Sequence, residues 1–219
     1  ELPKVADEDT VIIANIAGSA IEDYVESVRK LEGSAVDMVE LNISCPNVKM
    51  GGAALGSNCT SAGEATKAVR KATSKPLMVK LSPNVTDISE IARAVEAEGA
   101  DAVSLINTPI GMRIDIRTRR PVLHNNIGGM SGPAIFPLAV RMVWQVANAV
   151  KIPVSGIGGV TTFQDAIEMM MAGATTVQVG AAMFQNPMAP VEIIDGMNHW
   201  LDEQNISSVR EIIGSVQPW

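Results

Sequence analysis

Cysteine and histidine are scarce in this 219-residue chain, with two of each. Cys45 and Cys59 make no disulfide framework in a chain of this size, and without paired histidines they make no zinc site. A special cysteine here is therefore reactive, or merely buried. Neither His124 nor His199 can be placed beside Cys45 from sequence, so Cys-His hydrolysis has little support. A long basic tract is also missing. With a net charge of −7 and an isoelectric point near 4.9, the surface is a poor match for nucleic acid or an anionic membrane, and small-molecule work fits better. Every apolar run is broken by Gly, Asn, Asp or Glu before the roughly 18 residues that a membrane span needs, and the opening ELPKVADEDT does not read as a signal peptide. The expectation is a soluble, cytoplasmic protein.

What is present is a chain 47% hydrophobic, enough to bury a sizeable core. Short β-rich apolar runs recur at VIIANI (11–16), VDMVELNI (36–43), PLMVKLS (76–82), DAVSLIN (101–107), IPVSGI (152–157) and TTVQVGA (175–181), and they read as buried parallel strands. Amphipathic helices fit between them over 20–31, 87–98, 135–149, 162–172 and 188–203, with a further one opening near Ser61. Ser19 with Glu22, and Ser61 with Glu64, have the spacing of capping boxes, and Gly99 and Gly173 suit C-terminal caps. The strict β-α alternation predicts a parallel α/β fold of the (β/α) barrel kind, over a single domain spanning 1–219. A doubly wound open sheet is the rival.

Two connections are much longer than the rest, and both follow the carboxyl end of a strand, the face on which such barrels build active sites. GMRIDIRTRRPVL alternates Ile114 and Ile116 with charged residues and suggests a projecting β-hairpin, either solvated or in contact with a partner. NVKMGGAALGSNCTSAG is rich in Gly and Ser and reads as a lid beside Cys45. Two glycine-rich strand ends, SGIGGVTT and VGAAMF, suit a cofactor phosphate held by backbone N–H groups around Gly158, Gly159 and Gly180. If these follow the seventh and eighth strands, VIIANI is the third. The chain is then expected to be the C-terminal portion of a barrel, strands 3 to 8, with the first two strands missing.

Lys80 falls near the carboxyl end of an apolar strand and needs an anionic or acceptor partner. No acid lies within that strand, so a ligand oxygen or ring nitrogen is as good a partner as a neighbouring carboxylate. A flavin, which gains negative charge on reduction, would be stabilised there. Asn42, Asn47, Asn107 and Thr108 also fall at or just beyond strand ends. Amides that both donate and accept suit a planar ligand edge alternating N–H and C=O. Cys45, held by Pro46 among these amides, could act as nucleophile or general base. Cys59 reads as incidental and His199 as surface or packing.

The segments ELNISCPNV, PLMVKLSPNV, SLINTPIGMRIDIRTRRPVL, GGMSGPAI and GIGGVTTFQDAIEMMMAGATTVQVGAAMF, with the closing REIIGSV, together resemble the dihydroorotate dehydrogenase family, in order as well as in kind. The resemblance implies an FMN-containing (β/α)8 barrel that oxidises (S)-dihydroorotate to orotate in pyrimidine biosynthesis. Cys45 matches the cysteine that serves class 1 members as general base, removing the C5 proton while hydride leaves C6 for the flavin. By the same carry-over Asn42, Asn47, Asn107 and Thr108 hold the substrate. Asn15, Asn42, Lys80, Ile106, Gly132, Gly158, Gly159, Gly180 and Ala181 contact FMN, the last four around its phosphate. Ala181 stands where a threonine is common.

The long segment after Asn107 looks most like the NAD-linked class 1B catalytic subunit, which implies a homodimer paired with an iron-sulfur and FAD subunit that passes electrons to NAD. The family's additional N-terminal part, with two strands and a substrate-contacting lysine, has no counterpart here. A truncated, inactive flavin-binding remnant and a dihydropyrimidine dehydrogenase-like enzyme are the alternatives.

Overall fold

The computed structural model describes residues 8–44 and 55–219. The chain divides into two compact units, Glu1–Ser104 and Leu105–Trp219.

In the first unit strands alternate with helices: β1 (Ile13–Ile16), α1 (Ile21–Leu31), β2 (Met38–Asn42), α2 (Cys59–Arg70), β3 (Leu77–Lys80), α3 (Ile88–Ala97) and β4 (Ala102–Leu105), whose last residue opens the second unit. The strands are parallel and lie in chain order, with Ile13 beside Met38, Val39 beside Leu77 and Met78 beside Ala102. A doubly wound sheet reverses its order at a switch point. These four strands contain no reversal, which is the barrel arrangement of the sequence expectation.

Side chains alternate between two faces along each strand. Val39, Leu41, Leu77, Val79 and Val103 are fully buried. The helices contribute their own buried stripes, Tyr24 and Val28 from α1, Ala65 and Val69 from α2, Ile91 and Val95 from α3. Each large aliphatic side chain so covered gains about 1.5–3 kcal/mol, which fixes the register, because a one-residue slip would turn this apolar set outward. The opposite face carries Asn15, Glu40, Asn42, Met78, Lys80, Ala102 and Ser104.

Two of the expected helix starts are corrected. The α1 N-cap is Ala20 and not Ser19, which moves the third helical position from Glu22 to Asp23; the Asp23 carboxylate accepts the N–H groups of Ser19 and Ala20 at 2.8 and 3.0 Å. Helix α2 starts at Cys59, and its cap is Asn58, which accepts the Ser61 N–H at 3.0 Å. Ser61 is thereby inside the first turn, and its hydroxyl donates to the Leu55 carbonyl at 2.7 Å. Helix α3 starts as expected, with Asp87 accepting the Ser89 N–H, and closes on Gly99 at φ +96°.

The second unit opens on an arm. β5 (Ile110–Gly111) pairs antiparallel with β8 (Gly128–Gly129), and β6 (Ile114–Asp115) pairs with β7 (Arg120–Pro121). The hairpin expected from the Ile/charge alternation is therefore present, its turn closed by the Asp115 carboxylate accepting the Arg117 N–H at 2.8 Å. Beyond it come α4 (Phe136–Ala147), β9 (Val154–Ile157), α5 (Phe163–Met171), β10 (Thr176–Gln178), α6 (Ala182–Gln185) and α7 (Ala189–Glu203). β9 and β10 are parallel, with Thr176 beside Ser155. Ile167, Met170 and Ile212 form a buried cluster against Phe163, Met197 and Trp200, tying α5 to α7 and to the single turn at Val209–Ile212. Among the described residues no helix is long and apolar enough to cross a membrane.

Candidate functional site

In the first unit the parallel register sets three of the expected site residues on one face. Asn15 lies beside Glu40, and Asn42 lies beside Lys80, which in turn lies beside Ser104. At the centre is a residue that the sequence reading missed. Glu40 is 4% exposed and Ser104 is fully buried. One Glu40 carboxylate oxygen accepts the Ser104 hydroxyl at 2.6 Å, the other accepts a short hydrogen bond from the Asn15 amide, and Lys80 Nζ lies 3.9 Å from that second oxygen. A carboxylate taken out of water is tolerated only when paired and hydrogen-bonded, and here the partners come from three other strands, β1, β3 and β4. The acid sought for Lys80 is thus on the adjacent strand. It was readable in VELN, because Glu40 and Asn42, two apart, share a face.

Asn42 is held in the same layer. Its amide donates to Asn15 Oδ1 at 3.4 Å, and its own Oδ1 accepts the Ser44 hydroxyl at 3.1 Å and the Ser44 N–H at 3.3 Å. The buried Tyr24 hydroxyl lies 3.0 Å from the Asn42 carbonyl, pinning the strand end from the helical side. The first unit therefore presents amides, an ammonium and a buried carboxylate at the carboxyl ends of β1 to β3. Cys45 and Asn47 lie outside the described residues, as does most of the expected lid.

In the second unit the expected residues gather around glycines. The Ile106 N–H donates to the Ile157 carbonyl at 2.8 Å, at the mouth of the turn formed by Gly158 and Gly159. Gly159 has φ +77°, and a Cβ there would come within 2.8 Å of the Gly132 carbonyl oxygen and 2.9 Å of the Phe136 nitrogen, so only glycine fits. Gly132 caps the turn Pro133–Ile135 that leads into α4, and Gly180 and Ala181 open α6. A Cβ built at Gly132 or Gly180 meets nothing within 4 Å among the described residues, which leave the backbone open on those sides. Asn107 Oδ1 accepts the Thr108 N–H at 2.8 Å. Gly129 is a second residue that sequence reasoning missed. Its backbone presses so closely on Thr108 that a Cβ would come within 2.7 Å of the Thr108 Cβ, and the only signal for it was the GG pair before Met130.

A model of the family described as dihydroorotate dehydrogenase matches residues 1–201. The chain is 55% identical over 208 residues to the "Dihydroorotate dehydrogenase B (NAD(+)), catalytic subunit" of Alkaliphilus oremlandii, covering 95% of this chain and 69% of that protein. It is 56% identical over 210 residues to the protein of the same name from Brachyspira hyodysenteriae, covering 94% of this chain and 69% of that one. Among solved structures, the dihydroorotate dehydrogenase of Eimeria tenella in complex with ferulenol superposes with a TM-score of 0.81 at 22% identity, over 98% of this chain and 66% of that chain. The fold is thus α/β of the TIM-barrel kind, and the chain spans about two thirds of the length of that structure's chain. With a family model over most of its length and relatives more than half identical to it, this chain belongs to the dihydroorotate dehydrogenase family.

Proposed function

We propose that this chain is part of an FMN-dependent catalytic subunit, strands 3 to 8 of a (β/α)8 barrel in one FMN-binding domain, that oxidises (S)-dihydroorotate to orotate in pyrimidine biosynthesis. The observation that carries it is the 55% identity, over 95% of the chain, to a dihydroorotate dehydrogenase B catalytic subunit.

The residues present fit FMN on chemical grounds. Asn15 and Asn42 offer amides that donate and accept, as a flavin edge alternating N–H and C=O requires. Lys80 adds a positive charge in a layer that excludes much of the solvent, its side chain only 16% exposed. Gly158, Gly159, Gly180 and Ala181 suit a phosphate bound by backbone N–H groups, with Gly132 and Ile106 as further cofactor contacts. Held by these residues, FMN would supply the acceptor for the hydride that leaves C6 of the substrate.

The chain's own residues do the rest. The Cys45 thiolate takes the proton from C5, and Asn42, Asn47, Asn107 and Thr108 hold the pyrimidine ring so that this proton faces the base. The reading extends to a homodimer working in the cytoplasm with an iron-sulfur and FAD subunit that passes electrons to NAD.

The test is direct. Purified native protein is expected to be yellow, and anaerobic dihydroorotate is expected to bleach its flavin. A colourless protein, or a yellow one that dihydroorotate leaves unbleached, overturns the proposal.

A further inference from the structure

We propose that Glu40 is a positioning residue that sets the charge Lys80 presents to the bound flavin and holds Asn15 in place to meet it. The inference rests on the FMN reading above. Its ground is the carboxylate's position. Glu40 is buried on the polar face of the first unit, and its two oxygens are held by Ser104 on β4 and Asn15 on β1. It therefore cannot swing away from Lys80 without abandoning both.

The Lys80 contact differs in kind from the other two. At 3.9 Å the ammonium is beyond hydrogen-bond length, so this contact does not consume one of its donors, yet it is close enough for strong Coulomb attraction where solvent is largely excluded. Lys80 is thereby steered while its donors remain usable by a ligand, and Glu40 offsets part of its positive charge. A flavin gains negative charge on reduction. An ammonium alone would favour the reduced form, and an ammonium with a fixed carboxylate behind it favours it less. Asn15 is oriented by the same carboxylate: its Nδ2 is committed to Glu40, so its Oδ1 is the edge turned to other donors, the Asn42 amide among them. One buried acid thus fixes the presentation of three groups assigned to the cofactor.

The experiment is the midpoint potential of the flavin, measured by anaerobic spectroelectrochemistry on the FMN-loaded full-length protein, wild type against Glu40→Gln. Glutamine keeps the shape and removes the charge. The expected result is a more positive potential, with the reduced form favoured by about tenfold or more, which is about 30 mV for a two-electron couple. In a Lys80→Met background the same substitution is expected to shift the potential less, because Glu40 then has no ammonium to steer toward the flavin.

Should Glu40→Gln not yield folded holoprotein, Glu40→Asp keeps the charge but withdraws it from Lys80, and a smaller shift in the same direction is expected. A potential equal to wild type in whichever variant folds makes Glu40 a purely structural tie and overturns this inference alone. A wild-type protein that takes up no FMN overturns the FMN reading and this inference with it.

Discussion

A thiol among amides and a serine in its place differ mainly in acidity, and that difference sets the first prediction. If Cys45 takes the C5 proton, Cys45→Ser is expected to slow anaerobic flavin reduction by about 10²–10⁴-fold at neutral pH, the usual worth of a positioned general base. The rate is expected to recover as pH rises, because serine is much the weaker acid. Stopped-flow traces that match wild type across pH would remove Cys45 from the role. The glycine turn gives a second residue-scale test. Gly159→Ala places a methyl group against the Gly132 carbonyl and the Phe136 nitrogen at positive φ, and about 1–3 kcal/mol of stability is expected to be lost, read as a lower denaturation midpoint together with faster loss of flavin on gel filtration. Asn42, Lys80, Gly158 and Gly159 drew notice in the sequence because each is an unusual residue at the end of an apolar strand, whereas Asn15 came only from the family resemblance. Glu40 shares the face of Asn42 and that much is visible in VELN, but it was not assigned, because its partners lie on other strands and pairing register is not written in any one strand.

At the scale of elements, the alternation of strand and helix was readable because buried parallel strands are continuous apolar runs and the helices between them keep a 3.6-residue stripe. The caps were read less well, since Ser, Asn and Asp compete for the same amides and a shift of one residue changes which acid reaches back. Helix α5 shows the arrangement at full strength. Asp165 accepts the N–H of Thr161 at 2.8 Å, the Thr161 hydroxyl at 2.9 Å and the N–H of Thr162 at 2.9 Å, while the Thr162 hydroxyl accepts the Asp165 N–H at 3.3 Å. Partial burial pushes the Asp165 carboxyl up, but the hydrogen bonds from Thr161 and Thr162 outweigh it, so its net shift is below the ordinary value of 3.8. Asp165→Asn is expected to destabilise the protein by about 1 kcal/mol near neutral pH, the typical worth of a helix cap. The difference from wild type is expected to shrink as pH falls below 3.8, as Asp165 itself protonates. A pH-independent difference in thermal midpoint would assign the effect to packing and not to charge.

Across the whole molecule the same logic recurs in exposed carboxylates, of which Glu32 ties two separate segments together while Glu211 and Asp115 close their own turns. Glu32, at the end of α1, accepts the Thr73 hydroxyl at 2.6 Å and the Ser74 N–H at 2.8 Å, with a further short bond from the Ser74 hydroxyl. The Ser74 hydroxyl, then the Thr73 hydroxyl and the Ser74 N–H, hold its carboxyl down to about 2 from 4.5. Glu211 is lowered by the Ser207 hydroxyl and then the Ser208 N–H, and Asp115 by the Arg117 N–H. A carboxyl with a lower pKa folded than unfolded binds fewer protons in the native state, so its stabilisation is complete above the unfolded value and is lost as pH falls through the folded one. For Glu32 that window runs from 4.5 down to about 2. The thermal midpoint is therefore expected to hold steady from neutral pH to just above 4.5 and to fall below it, with Glu32, Asp115, Asp165 and Glu211 all contributing in the same direction. Glu32→Gln keeps the shape and loses the charge; its midpoint is expected to lie below wild type at neutral pH and to converge on it as pH approaches 2. Because Glu32 joins the end of α1 to the turn before β3, convergence would locate the acid-sensitive tie at that joint. A gap between the two proteins that stays constant down to pH 2 would mean that the carboxylate's charge contributes nothing there, and that the loop is held by shape alone.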